Sequence, residues 1–360
     1  LNSFTSYHSY INYNIKHHLF SIEYEDLLDE VIEYYSHNFA AAFSYNTVLQ
    51  VLSRTIKYMN KEYNFLKESY VKEKKPLLNK RVLIVGAAPS VDKQMDWIEK
   101  NQSKFIIVCV DKMVQKLEKH SIVPDLVVSI DPSQIVESFF KTKDKDFLKN
   151  SSIIFLSQQH QDVIKRVEHL NFYFSQVMLL SKDLNYSFSI PNVGTFGFAI
   201  ALFLGSEEIY IAGNDSAFDS ESGKVFASDT LDSNHESFLG EEKVENQTVS
   251  SEDIIEVKGN FKEKVKTTRK LITYRNDYQN FLSSNKNKSF KAYNLSHGAY
   301  IEGFEPLKIE DIDTSNFENK KANLDSLIKE TSTIVKDLDF ENDIVILNSI
   351  IRKAEKFKKM

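Results

Sequence analysis

The chain is poor in cysteine, in net positive charge and in long apolar runs, and each shortage excludes something. One cysteine, Cys109, among 360 residues cannot close an internal disulfide or build a thiolate zinc cluster, which points to a reducing compartment such as the cytoplasm. Lys and Arg number 45 against 51 Asp and Glu, a net charge of -6, so no sequence-wide basic field exists to hold a nucleic-acid backbone. No apolar run approaches the roughly 20 residues that span a bilayer, and no basic stretch followed by an apolar one opens the chain. Opening at Leu1 rather than Met, the chain reads as a possible piece of a longer protein. Motifs are missing too. There is no His-Glu-x-x-His, no nucleophile-elbow serine and no Gly-Lys-Ser/Thr loop end, which leaves peptidase, lipase and P-loop chemistry without support. With 42% apolar residues, the length supports a buried core and more than one structural unit.

What is present is an alternation of two periods. From about 24 to 74 the apolar residues recur at helical spacing, as in Leu27, Leu28, Val31, Ile32 and Tyr35, before a charged stretch Lys72-Glu73-Lys74-Lys75 and Pro76. Short β-branched runs follow, each ending in a glycine or polar residue: 81–85 with Gly86, 105–110 with Asp111, 126–130 with Asp131, 153–156 with Ser157, and 209–213 with Asp215 close behind. Helix-compatible segments such as 112–120 and 195–204 lie between them. This order predicts an α/β fold, a mostly parallel sheet with helices on both faces. Ligands of such sheets bind beyond the carboxyl ends of the strands, which places Gly86, Asp111, Asp131 and Asp215 on the functional rim. Residues 217–252 form a long polar excursion, helical spacing resumes near Thr268, a strand is expected at 290–295, and the last 40 residues again read as helical.

Candidate chemistry collects on that rim. Gly86-Ala87-Ala88-Pro89-Ser90 is a strand-to-helix turn whose N–H groups suit a phosphate, although an ordinary α/β turn would look the same. The three aspartates could hold sugar hydroxyls, accept a proton or bind magnesium or manganese, or could simply cap the next helix. Asn192-Val193-Gly194-Thr195 opens a helix that could approach the same rim, or could serve packing alone. His235 lies in the polar excursion, where a loop could carry it over a substrate.

The segments VLIVGAAPSVD (82–92), SIVPDLVVSID (121–131), PNVGTFGFAIALFLGSEEIYIAGND (191–215) and YNLSHGAYIEG (293–303) resemble the motility accessory factor (Maf) family. Its central domain is shared with 6-hydroxymethylpterin diphosphokinases of the MptE type and is similar to bacterial sialyltransferases. The family's first segment usually reads Gly-x-Gly-Pro-Ser, and Ala88 stands here at the second glycine. The resemblance implies a Rossmann-like domain over 79–305, between helical segments at 1–78 and 306–360. It implies a donor site made by Gly86, Ala88, Pro89, Ser90, Asp111, Asn192, Gly194 and Thr195, with His235, Asp131 and Asp215 as catalytic residues. The activity it implies is transfer of a nonulosonic acid, pseudaminic or legionaminic in type, from its CMP-activated donor to Ser or Thr of flagellin in the cytoplasm. The residues leave two alternatives open, a magnesium-dependent diphosphokinase of the 6-hydroxymethylpterin type and a non-catalytic flagellin-binding protein.

Overall fold

The computed structural model describes residues 45–177, 180–188, 190–219, 221–230, 254–285, 289–320 and 324–335. All but 45–49 of these belong to the larger of two compact units, Gln50–Met360. The first described elements are α1 (Tyr45–Asn60), β1 (Asn64–Leu66) and α2 (Glu68–Lys74). The alternation expected from the sequence follows: β2 (Arg81–Val85), α3 (Met95–Asn101), β3 (Ile106–Val110), α4 (Val114–Lys119), β4 (Leu126–Ser129), β5 (Ser152–Leu156), α5 (Gln161–Val167), β6 (Asn171–Ser175), α6 (Val193–Phe203) and β7 (Glu208–Ala212). A hairpin, β8 (Ile254–Lys258) and β9 (Lys264–Thr268), leads into α7 (Arg269–Ser284). Then come β10 (Lys291–Asn294), β11 (Glu305–Pro306), α8 (Leu324–Glu330) and β12 (Ser332–Ile334).

Ten strands form one sheet in the order β11-β10-β7-β2-β3-β4-β5-β6-β1-β12, parallel throughout except where β12 runs against β1. Central strands are apolar apart from an end residue because both faces are covered; β3 is apolar and buried at all five positions. Helix α6 packs on β2, β3 and β4, and Gly197 lets it lie close, since a Cβ there would meet Val128 Cγ2 at 3.4 Å and Ile84 Cγ2 at 3.5 Å.

Two segments expected to be helical contribute strands. Asn64–Leu66 pairs with β6 through Phe65 and Phe174, and Ser332–Ile334 pairs with it on the other side. Three residues carry too little periodicity to reveal this, and what holds them is a cluster of rings, with Tyr58 stacked on Phe174 at 4.7 Å and Phe65 at 5.2 Å from it. β6 and the β8–β9 hairpin are likewise elements that the sequence patterns did not announce.

Candidate ligand cleft at the strand switch

The sheet order turns at β2. Strands β3 to β6 continue to one side, while β7, β10 and β11 lie on the other, so the carboxyl ends of β2 and β7 flank the point where an α/β sheet opens a crevice. Two glycines meet there. A Cβ on Gly86 would lie 2.3 Å from the Gly213 carbonyl, and one on Gly213, whose φ is +63°, would lie 2.4 Å from the Gly86 carbonyl. The backbone contact that these glycines permit is therefore with each other. Gly86 N–H donates to Ala212 O at 2.8 Å and Ala88 N–H to Gly213 O at 2.9 Å. Ser90 N–H donates to Asp215 Oδ2 at 2.9 Å, and Ser90 Oγ donates to Asp215 Oδ1 at 2.5 Å. Most donors of the expected phosphate cradle are thus taken by the protein, which corrects the simple anion-loop reading. Among the described residues, the Ala87 N–H is the donor of that turn with no protein acceptor.

The three rim aspartates differ in setting. Asp215 is buried, and burial pushes its carboxyl up to about 6 against the opposing hydrogen bonds from Ser90. Asp111 is buried as well; its Oδ2 accepts from Ser129 Oγ at 2.5 Å and its Oδ1 from Lys112 N–H at 2.8 Å. Burial again dominates, lifting its pKa to about 6, with the charge of Asp131 adding in the same direction. Asp131 is exposed, and its Oδ1 accepts from both the N–H (2.8 Å) and the hydroxyl (2.5 Å) of Ser133, which fixes the turn into the segment 134–140.

Across the crevice stands the start of α6. Asn192 caps it, accepting from Thr195 N–H at 2.8 Å and donating to Thr195 Oγ1 at 2.8 Å and to Asp277 Oδ2 of α7 at 2.6 Å. Thr195 is buried in this cap. A Cβ on Gly194 would lie 2.5 Å from Asn214 Oδ1 and 3.0 Å from the Tyr278 hydroxyl, which itself donates to Asn214 Oδ1 at 2.9 Å. Gly194 is consequently a packing requirement of the protein, and bulk there would disturb the helix start before it met any ligand. The N–H groups of Val193 and Gly194, in the first turn, have no protein acceptor among the described residues.

One cleft of about 400 Å³ gathers these parts: Gly86, Ala88, Asp111, Asp131, Asn192, Gly194 and Asp215 all line it. Pro89 and Ser90 face a different cleft, Thr195 lines neither, and His235 lies outside the described residues. The structure adds residues that no sequence motif marked. Lys112 is the cleft's cation, with Nζ 3.2 Å from the centroid of the Phe226 ring. Phe226 is carried by a segment pinned from below, where Ala227 N–H donates to Ala87 O at 2.8 Å and Ser228 N–H to Asp92 Oδ2 at 2.9 Å. Lys116, almost wholly buried, ties both sides by reaching Asp92 Oδ1 at 2.7 Å and Ser228 O at 2.8 Å. Ile135, Phe139 and Tyr274 complete an apolar wall. The carboxylates are hard-cation donors, yet the three do not converge: among the described residues, the His, Cys, Asp and Glu side chains close enough to share an ion are Asp96, Glu99 and His120, away from this cleft.

Residues 49–221 match the family model described as "6-hydroxymethylpterin diphosphokinase MptE-like". The chain carries an MptE-like domain. Its fold is shared with the structure of the Maf glycosyltransferase from Magnetospirillum magneticum AMB-1, at a TM-score of 0.61 and 18% sequence identity, over 81% of this chain and 43% of that one. This chain thus corresponds to less than half the length of that protein. No curated protein matches it. The MptE-like domain begins before β1 and ends just beyond Asp215, so it contains both glycines of the strand crossing and all three rim aspartates. No helix among the described residues is long and apolar enough to cross a membrane.

Proposed function

We propose that this chain is a Maf-type glycosyltransferase, moving a nonulosonic acid of the pseudaminic or legionaminic type from its CMP-activated donor to Ser or Thr of flagellin in the cytoplasm. One observation carries the reading. The Lys112 ammonium and the N–H groups of Ala87, Val193 and Gly194, which have no protein acceptor among the described residues, line a single cleft with an apolar side, formed by Ile135, Phe139, Phe226 and Tyr274, and a carboxylate rim. Donors of this kind suit a phosphodiester, an apolar wall with Phe226 and Tyr274 suits a planar base, and the exposed carboxylate of Asp131 suits sugar hydroxyls. In the transfer, the acceptor oxygen bonds to the anomeric carbon as the bond to CMP breaks. CMP departs with the electron pair on its phosphate, and the acceptor proton passes to a base. Asp131 is the rim carboxylate open to such a proton. Asp215, with both oxygens engaged by Ser90, acts as a positioning residue.

The test is thermal stabilisation by CMP. A ligand at 100 times its dissociation constant adds about 2.7 kcal/mol to the folded state. CMP should raise the melting temperature, Lys112→Gln and Phe226→Ala should each weaken that rise at least tenfold in CMP concentration, and neither change touches the Gly194 packing. The diphosphokinase alternative draws on the three carboxylates of one cleft and on the family model. It predicts stabilisation by ATP with magnesium and by a pterin, and none by CMP. Silence toward every nucleotide would favour a binding protein.

A further inference from the structure

A polar seam joins α3 to α4. At one end Lys116 of α4 reaches Asp92, just ahead of α3, at 2.7 Å. At the other end Gln102, the residue that caps α3, accepts from Val123 N–H at 3.3 Å and donates to Ser121 O at 3.4 Å, just past α4. Between these two ties, along both segments, stand Asp96 and Glu99 of α3 and His120 at the C-terminal cap of α4. One donor atom from each, a carboxylate oxygen, a second carboxylate oxygen and a ring nitrogen, lies within 4.8 Å of the other two.

Helix geometry brings the three together. Asp96 and Glu99 are three residues apart and share a face of α3, and His120 lies four past Lys116, so the side of α4 that presents Lys116 to Asp92 presents the ring one turn further on. The cap holds that position firmly: His120 N–H donates to Lys116 O at 3.2 Å and to Leu117 O at 3.1 Å, and Ile122 N–H returns to Leu117 O at 3.0 Å. Charge along the seam is balanced at its first step and not at its second. Lys116 neutralises Asp92, whereas the side chains of Asp96, Glu99 and His120 make no ion pair or hydrogen bond among the described residues, with one another or with any neighbour. Two carboxylates thus stand a turn apart with no cation between them. The nitrogen brought from a second helix separates this set from an ordinary acidic surface patch.

We propose that Asp96, Glu99 and His120 form a binding site for a divalent transition cation of the zinc class. An imidazole with two carboxylates is a ligand set that such ions accept, with water in the remaining position, whereas magnesium and calcium favour oxygen donors throughout. Bonds of ~2.0–2.2 Å draw the three donor atoms closer together, a movement open to the exposed Asp96 and Glu99 side chains while Lys116 and Gln102 keep the two backbones in place. The ion would brace α3 against α4 on the same seam whose Lys116 also holds Ser228. The inference does not depend on the glycosyltransferase reading, and none of the three residues lines the cleft of Lys112.

The experiment titrates zinc chloride into the full chain, freed of metal by a chelator, with calorimetry for affinity. Saturable binding is expected, weakened by roughly tenfold or more in each of Asp96→Asn, Glu99→Gln and His120→Gln and unchanged in His169→Gln, which removes an exposed histidine elsewhere. Zinc should raise the melting temperature of the wild type and not that of His120→Gln, and magnesium chloride should not displace it at equal concentration. Asp96→Asn, a change to an exposed side chain, decides the matter should His120→Gln fold poorly. Absence of saturable zinc binding, wild-type affinity in Asp96→Asn or a folded His120→Gln, or equal binding of magnesium would each overturn the proposal, and none of these bears on whether CMP binds the cleft of Lys112.

Discussion

Asp111 shows how one buried carboxyl is set by its neighbours. Ser129 Oγ donates to it while accepting from Gln159 Nε2 at 2.8 Å, so a single hydroxyl links a buried amide to a buried acid. Burial raises the Asp111 pKa and the Ser129 hydrogen bond lowers it. Ser129→Ala removes the opposing effect and leaves the Gln159 amide without its acceptor. We expect the Asp111 midpoint, followed by carboxyl-carbon NMR, to move above its wild-type position near 6. The same change should destabilise the fold by about 1–3 kcal/mol, the usual cost of a buried donor left unmade. A midpoint that stays put would mean that the hydroxyl does not hold the carboxylate.

Among the elements, α4 does more than cover the sheet. Its Lys116 joins Asp92 to Ser228, and that clasp holds Phe226 over the cleft. Lys116→Met keeps the apolar stem but removes the cation beside Asp92, whose side chain is 31% exposed, so the loss of stability should be well below the ~3–5 kcal/mol of a fully buried pair. Hydrogen exchange should show the amides of Ala227 and Ser228 losing protection while those of β2 and β3 keep theirs, and CMP stabilisation should fall in parallel. Unchanged protection at 227–228 would show that the segment is held by other contacts.

For the whole molecule, Asp111 and Asp215 make stability depend on pH in a stated direction. Each carboxyl has a folded pKa of about 6, above the ordinary 3.8. The folded state therefore keeps protons that the unfolded chain releases between those values, and stability is lost as pH rises through that window. Two pKa units correspond to about 3 kcal/mol per group as an upper limit. His160 and His297, with pKa values lowered from 6.5, act in the opposite direction below pH 6.5. The comparison that cancels them sets Asp111→Asn against wild type. In denaturant unfolding, the stability of the variant relative to wild type should rise between pH 5 and pH 7. A pH-independent difference would contradict a raised Asp111 pKa.

The parallel sheet was legible in the sequence because five apolar runs, each closed by Gly, Ser or Asp, repeat with helix-length spacing, and a strand buried on both faces must be apolar throughout. The place of the cleft was legible for the same reason, since strand ends define the rim. What each rim residue does was not. Gly86, Ala88 and Ser90 look like a phosphate loop in sequence, and only the approach of β7 shows that Gly213 and Asp215 accept most of their hydrogen bonds. Lys112, Asn214, Phe226 and Tyr278 carry no local signature, because their part in the site comes from chain segments up to about 190 residues apart meeting at one crossing. β1 and β12 were hidden for a related reason, being three-residue strands, β1 held by rings on distant elements and β12 by its pairing with β1, and not by their own pattern. Periodicity, a local property, determined the sheet; long-range contact alone decided which polar groups remain open to a ligand.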